Sequence, residues 1–343
     1  MSFKVTIEPS GHEYACDRGH TVLGSALEAG FNLPYGCRNG ACGVCKGKVL
    51  AGQVEHGAHQ AEVLGEDEKR LGYALFCCAR PLSDLVIECR EVGAVKDIPV
   101  KTLPCRVEKM QRAAPDVMIL YLRLPANERL QFLAGQYIDI LFKGGLRRSF
   151  SIANAPHDDE FLQLHVRLVT DGRFTGHVFN QMKARDILRF EGPHGSFFLR
   201  EQSAKPMVFV AGGTGFAPIK AIVEHALYEH CQRPMALYWG ARSRVGLYMP
   251  DLPESWVAQH PGLRYIPVLS EPRAEDGWQG RTGLVHDAVM EDFPDLSAHQ
   301  VYACGAPAMI DAAKRDFTQR CKLPQEEFFA DSFTFAADAM TTP

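Results

Sequence analysis

The run Tyr35-Gly36-Cys37-Arg38-Asn39-Gly40-Ala41-Cys42-Gly43-Val44-Cys45 sets the reading of this chain, together with the adjacent Cys77 and Cys78 downstream. Its C-x4-C-x2-C…C spacing is one that holds a [2Fe–2S] cluster. Two irons bridged by sulfide need four thiolates converging from a compact loop. Gly36, Gly40 and Gly43 let the backbone curl and bring N–H groups up to the sulfurs. Structural zinc also takes four thiolates, but it favours paired C-x2-C knuckles over this spacing. A cluster of this kind exchanges one electron at a time, so the rest of the chain must supply the electron's source.

The chain has 343 residues, which at roughly 150 per domain suggests two or three domains. Its hydrophobic content of 46% and charged content of 23% are ordinary for a globular protein. A net charge of −4 gives no ground for a nucleic-acid or membrane-surface role. No stretch approaches the roughly 18 apolar residues of a spanning helix. The start, Met1 to Glu8, alternates like a strand and lacks the apolar core of a signal peptide, so a cytoplasmic location is expected. Beyond the four cysteines given to the cluster, Cys16, Cys78, Cys89, Cys105, Cys231, Cys304 and Cys321 show no paired spacing. Free thiols in a reducing compartment account for them better than disulfides.

Working outward, residues 1–92 read as short strands around one helix. Phe3–Glu8 and His12–Cys16 alternate, and Thr21 caps a helical run that stops at Gly30. Residues 93–102, with Pro99 and little periodicity, read as a linker. Residues 103–200 hold the strand-like runs Val117–Leu124, Tyr137–Phe142, Ser149–Ala153, Phe161–Val169 and Ile187–Phe190, with one helix at Phe174–Lys183. Many strands with regular turns predict a barrel. Residues 201–335 alternate strands (Met207–Ala211, Met235–Trp239, Arg264–Leu269, Gln300–Cys304) with helices (Pro218–Glu229, Leu284–Glu291, Ala308–Arg320), the pattern of a parallel sheet covered by helices. Residues 336–343 read as a loose tail.

In the barrel region, Arg147-Arg148-Ser149-Phe150-Ser151 closes a strand. A flavin needs a flat surface for its ring, a cation for its pyrophosphate and a hydroxyl near its reactive edge. Phe150, Arg148 and Ser151 offer all three, although alone the run is also an ordinary barrel strand. His165-Val166-Arg167 follows in the next strand. Gly172-Arg173-Phe174-Thr175 opens a helix whose N–H groups favour a phosphate. In the last region, Gly212-Gly213-Thr214-Gly215-Phe216-Ala217-Pro218 joins a strand to a helix, as a dinucleotide pyrophosphate requires. Cys304-Gly305-Ala306-Pro307-Ala308-Met309 ends a later strand, so both segments are expected to line one crevice, with Cys304 touching a nicotinamide.

These motifs span nearly the whole chain, which resembles the ferredoxin–NAD(P)+ reductase superfamily in its three-domain form. The resemblance implies a β-grasp ferredoxin domain, a Greek-key β-barrel flavin domain and a parallel-sheet α/β nucleotide domain, a multidomain α+β and α/β protein. It implies Cys37, Cys42, Cys45 and Cys77 as cluster ligands, because Cys77, ahead of Arg80-Pro81 and Ser83-Asp84, matches the ferredoxin run. It further implies FAD held by Arg148, Phe150, Ser151, Gly172 and Thr175, and the strands around them add Ser149, His165, Val166 and Arg167 as flavin-binding candidates. NAD(P)H falls to Gly212, Gly213, Thr214, Gly215, Pro218, Cys304, Gly305, Pro307 and Met309. Two departures are visible: Phe150 stands where tyrosine is usual, and the C-terminal aromatic over the ring is one of Phe329, Phe333 and Phe335, with Phe333 the closest match. FMN is the alternative flavin, but FMN-dependent relatives carry their ferredoxin at the other end.

The expected reaction is a step-down from paired to single electrons, with Ser151, Cys304 and Phe333 at the transfer site. NADH is expected ahead of NADPH, although Arg242 and Arg244 stand where a 2′-phosphate would be met. The resemblance implies a terminal oxygenase, Rieske-type or diiron, as acceptor. The alternative is a pyridoxamine-phosphate-dependent sugar dehydrase, as for CDP-6-deoxy-3,4-glucoseen reductase. A redox sensor is a third reading, which the complete nucleotide motifs argue against. Docking is expected beside the cluster loop, near Arg38, Asn39 and Ala41.

Overall fold

The computed structural model describes residues 2–89 and 98–333, in two compact units, Met1–Pro99 and Val100–Pro343. In the first, a five-stranded sheet runs His12–Asp17, Ser2–Glu8, Leu85–Glu88, Lys46–Ala51 and Tyr73–Leu75 in spatial order. Ser2–Glu8 pairs antiparallel with His12–Asp17 and parallel with Leu85–Glu88. Its alternation sends Val5 and Ile7 into the core, where full burial of such a side chain contributes about 1.5–3 kcal/mol. The helix Val22–Glu28 covers that face with Val22, Leu23 and Ala26. Thr21 caps it, its hydroxyl accepting from the Gly24 N–H at 3.1 Å. This is a β-grasp arrangement. The helix Glu66–Arg70 and the strands Val54–Glu55, Tyr73–Leu75 and Arg80–Pro81 were not expected from sequence, being too short to display a period.

The second unit begins with six antiparallel strands in the order Leu146–Ser151, Tyr137–Phe142, Ile187–His194, Lys101–Ala114, Val117–Arg123 and Leu162–Arg167. A bridge between Ile152 and Leu164 joins the two edges and closes the barrel. The expected linker needs correcting. Residues 90–97 lie outside the described residues, while Lys101 and Thr102 already belong to the long strand Lys101–Ala114. Pro104 obscured it, because proline carries no N–H for a ladder. The expected helix over Phe174–Lys183 forms as Arg173–Asn180, stopping short.

The remainder is a six-stranded parallel sheet ordered Arg281–Thr282, Leu263–Leu269, Met235–Ala241, Met207–Gly212, Gln300–Gly305, Phe328–Ser332. Helices Phe216–Tyr228, Asp251–Gln259, Val285–Asp292 and Pro307–Arg320 accompany it. Met207–Ala211 is buried throughout, as a strand covered on both faces must be. Strand order reverses between Met207–Gly212 and Gln300–Gly305, leaving a crevice at their carboxyl ends. The edge strand Phe328–Ser332 was not expected; it is half-buried and lacks a clean alternation.

Arg200, between barrel and sheet, is held on several sides. Its guanidinium lies 4.0 Å from the Phe198 ring and 4.5 Å from the Phe329 ring. It donates to the carbonyls of Phe198 and Ser196, while its own N–H donates to the Tyr302 hydroxyl at 3.0 Å. Among the described residues no helix is long and apolar enough to cross a membrane. Phe335 and the expected tail 336–343 lie outside the described residues.

Candidate functional site

The cysteine loop folds as the glycines demand. Gly40 and Gly43 take φ of +79° and +73°. A Cβ on Gly40 would stand 2.8 Å from the Ala58 carbonyl, so no side chain fits there. The Cys37 thiol is hydrogen-bonded with that of Cys42, and the Cys77 thiol with those of Cys45 and Cys78. The Cys37 N–H donates to Cys42 Sγ at 3.3 Å and the Ala41 N–H to Cys37 Sγ at 3.4 Å. The Cys42 thiol, with the N–H groups of Asn39, Ala41 and Cys42, draws the Cys37 thiol down to about 6, while Cys42 is pushed up. The hydrogen bond with Cys45 lifts Cys77 to about 12. Thiols gathered in this way, with N–H groups directed at sulfur, fit a cluster in which each iron takes two cysteines. Cys78 Sγ sits 3.5 Å from Cys77 Sγ but is paired with it rather than with Cys45. Of the residues expected to meet a partner, Asn39 is exposed and Arg38 half-buried, whereas Ala41 is buried, because its N–H turns inward to Cys37.

On the barrel, alternation along Leu146–Ser151 divides the expected flavin residues. Arg148 and Phe150 share one face, opposite Ile140 and Ile138 in the register. Phe150 packs on Phe174, ring centroids 5.3 Å apart. Burial and then the charge of Arg173 lower the Arg148 guanidinium below its ordinary value. Two guanidiniums brought together at a helix start fit a diphosphate. Ser149 points the other way and donates to Asp139 Oδ1 at 2.6 Å. There Arg147 donates to both Glu191 oxygens, at 2.7 and 3.0 Å, and lies 3.6 Å from Asp139 Oδ2. His194 completes this group, which has the ligand types of a metal site; Arg147 already supplies its positive charge.

His165, Val166 and Arg167 separate similarly. Val166 is buried in the barrel core. His165 is buried with Nδ1 2.8 Å from the Tyr248 hydroxyl, and burial holds its imidazole down at about 3. Arg167 pairs with Asp116 at 3.1 Å. A Cβ on Gly213 would lie 2.5 Å from Arg167 Nη1, so this cation from the barrel reaches the glycine loop. The Thr175 hydroxyl accepts from the Val169 N–H at 3.2 Å and thereby fixes its own loop.

The crevice brings the remaining residues together. A Cβ on Gly215 would come within 2.1 Å of the Cys304 carbonyl, and one on Gly212 within 2.6 Å of Met309 Sδ. The two nucleotide motifs are thus in direct contact, backbone on backbone at Gly215 and through the Met309 thioether at Gly212. Gly213 takes a φ of +55° and its carbonyl accepts from Trp239 Nε1 at 2.9 Å. Pro307 opens the helix Pro307–Arg320, where its missing N–H costs nothing, while Pro218 lies buried in the first turn of Phe216–Tyr228. Cys304 is fully buried, which raises its thiol well above the ordinary range. Cys304 pairs with Asp331 in the sheet register, and Ser151 Oγ donates to Asp331 Oδ2 at 3.3 Å. The Phe333 N–H donates to the Gly305 carbonyl at 2.8 Å, which sets Phe333 beside this group. Phe329 instead stacks on Tyr302. Sequence reasoning missed Asp331 and Arg173 as members of the site. Asp331 could have been found from its place two residues before Phe333, and Arg173 from its position at the helix start.

This fold and site define an NAD(P)H-dependent oxidoreductase built from an iron–sulfur module, a flavin barrel and a nucleotide domain. Residues 5–82 match the 2Fe-2S iron-sulfur cluster binding domain, 104–199 the oxidoreductase FAD-binding domain and 209–315 the oxidoreductase NAD-binding domain. The chain belongs to the three-domain ferredoxin–NAD(P)+ reductase family. It is 41% identical to a CDP-6-deoxy-L-threo-D-glycero-4-hexulose-3-dehydrase reductase of Yersinia pseudotuberculosis, over 97% of this chain and 99% of that protein. It is 37% identical to the phenol 2-monooxygenase reductase component of a Pseudomonas species, over 98% and 96% of the two chains. Among solved structures, an Amycolatopsis cytochrome P450 reductase superposes with a TM-score of 0.79 at 34% identity, covering 98% of this chain and all (100%) of the other.

Proposed function

We propose that this protein takes electrons from NADH and passes them singly to a separate oxygenase component, with Cys37, Cys42, Cys45 and Cys77 as the cluster ligands. When bound, FAD and the [2Fe–2S] cluster supply the conversion of a hydride pair into single electrons. Arg148, supported by Arg173, holds the flavin pyrophosphate, and Phe150 gives its ring an apolar floor. Ser151 presents a hydroxyl whose proton is held toward Asp331 Oδ2. Gly212 to Gly215 let the nucleotide pyrophosphate approach the backbone, and Cys304 and Phe333 exclude water from the transfer site. Domain limits of 1–92, 101–200 and 201–335 accompany this reading, the barrel starting with the strand Lys101–Ala114, as does a cytoplasmic location, which free cysteines suit.

The observation that carries the reading is the Ser151–Asp331 contact, which joins the end of the flavin strand to the strand beside Cys304. NADH is favoured over NADPH because both nearby arginines already have partners within this chain. Arg244 donates to the Asp276 carbonyl at 3.1 Å and its N–H to Asp276 Oδ2 at 3.4 Å, while Arg242 faces Glu271 at 4.0 Å. The deciding experiment mixes NADH-reduced protein with purified acceptors. Rapid reoxidation by an oxygenase component supports the proposal, and failure of NADH to bleach the flavin ends it. A second reading, service to a sugar dehydrase, is favoured by the 41% identity to the Yersinia protein. Reoxidation by a pyridoxamine-phosphate-dependent dehydrase alone would select it.

A further inference from the structure

The helix Phe216–Tyr228 starts directly after the glycine loop and carries a buried ammonium that the nucleotide and flavin motifs leave unexplained. Lys220, only 4% exposed, donates to Glu224 Oε2 at 2.7 Å and to the Ala153 carbonyl at 3.0 Å. Ala153 stands two residues beyond Ser151 in the barrel. We propose that Lys220, paired with Glu224, is a positioning residue that sets the register between the nucleotide loop and the flavin strand.

The geometry supports this at both ends of the helix. Lys220, Glu224 and Tyr228 recur every fourth residue and so share one face. Tyr228 stacks on His157 of the barrel, centroids 3.8 Å apart and planes 10° apart. The barrel segment they grip is itself rigid. The Ala153 N–H donates to the Gln163 carbonyl at 2.8 Å, and Asn154 Nδ2 donates to the Asp158 carbonyl at 2.6 Å. Burial raises the Glu224 carboxyl above its ordinary value, the mark of a carboxylate kept in a costly setting. A well-packed apolar pair would be as stable or more so. An ion pair here therefore gives a directional contact to one carbonyl, which apolar packing lacks. That carbonyl is covalently continuous with the hydroxyl at the transfer site, and the ammonium with the loop that holds the nucleotide.

This rests on the proposed NADH-to-flavin step, in which a hydride leaves NADH to give NAD+ and reduces FAD. The test compares full-length protein with Lys220→Met and with Lys220→Met/Glu224→Leu, the second leaving no unpaired buried charge. Both are expected to reduce flavin about tenfold more slowly at saturating NADH, with half-saturation shifted by less than about twofold. Lys220→Arg, which can reach the same carbonyl, should recover most of the rate. Independently of turnover, amide hydrogen exchange should rise together in residues 152–158 and 213–216. Parental flavin reduction in the double variant, a loss confined to NADH affinity, or unchanged exchange in both segments would each overturn the proposal. Were the parent protein itself not bleached by NADH, the wider functional reading would fall, while the exchange measurement would still judge the pin.

Discussion

Ser151 and Asp331, 180 positions apart, meet in a hydrogen bond of 3.3 Å in which the serine hydroxyl donates to the carboxylate. Ser151 ends the barrel strand and Asp331 lies in the edge strand opposite Cys304. One contact therefore ties the flavin side of the site to the nucleotide side. Ser151→Ala is expected to retain FAD and to slow its reduction by NADH about tenfold or more, since precise placement of reacting groups governs such steps. Stopped-flow bleaching at saturating NADH measures it, and an unchanged rate would remove Ser151 from the transfer site.

Cys42→Ser separates the two halves of the relay. With Cys42 as a proposed cluster ligand, its replacement would leave the cluster short of one thiolate, so reduction of cytochrome c or another protein acceptor should vanish. Bleaching of the flavin by NADH should persist. Loss of both in a still-folded variant would contradict the division of labour drawn here.

Gly215→Ala places a methyl group 2.1 Å from the Cys304 carbonyl. Overpacking of this kind costs about 1–3 kcal/mol. A lower urea midpoint is expected, together with a raised KM for NADH, because the displaced backbone is the nucleotide loop. Equal stability and KM to the parent would show that the two motifs are not in close contact.

His165 gives a pH dependence of known sign. The folded protein refuses its proton down to about 3, whereas the unfolded chain takes it near 6.5. Between those values the unfolded state binds more protons, so this group's effect is to weaken folding as pH falls from 6.5 toward 3. The slope is at most about 1.4 kcal/mol per pH unit. Replacing it, as in His165→Phe, should flatten the fall of the urea midpoint between pH 6.5 and 4.5, roughly the upper half of that window. An unchanged slope would mean that another group dominates.

Glu271→Ala tests nucleotide choice. Freed from the Glu271 carboxylate 4.0 Å away, Arg242 should improve use of NADPH by about threefold, the small effect expected of an exposed pair. If Arg242→Ala and Glu271→Ala both leave the ratio of NADH to NADPH efficiency unaltered, Arg242 does not meet the adenosine end.

Much of this was legible in the chain because the chemistry is concentrated in short, rigid motifs. The cysteine loop could be read from spacing alone, since cluster ligands must fall at fixed intervals. The parallel sheet was visible because Met207–Ala211 and its partners are apolar on both faces. Side-chain direction was less accessible. Ser149 lies between Arg148 and Phe150 in sequence, yet the pleat turns its hydroxyl to Asp139. Phe328–Ser332 escaped notice because an edge strand with mixed burial has no periodic signature. Lys220 was hidden for a different reason: a single lysine in a helix reads as a solvated charge until its carbonyl partner in another part of the fold is known.

Arg200 has a consequence for recombination among relatives. Its guanidinium lies between a barrel ring, Phe198, and a ring from the last strand, Phe329. The junction it guards is accordingly a splint, not a swivel. A chimaera cut near residue 205, with its nucleotide portion taken from a homologue, would inherit one side of this clamp from each parent. Hybrids that carry Phe198, Arg200 and Phe329 as a matched set should remain assembled, and those that mix them should come apart at the seam.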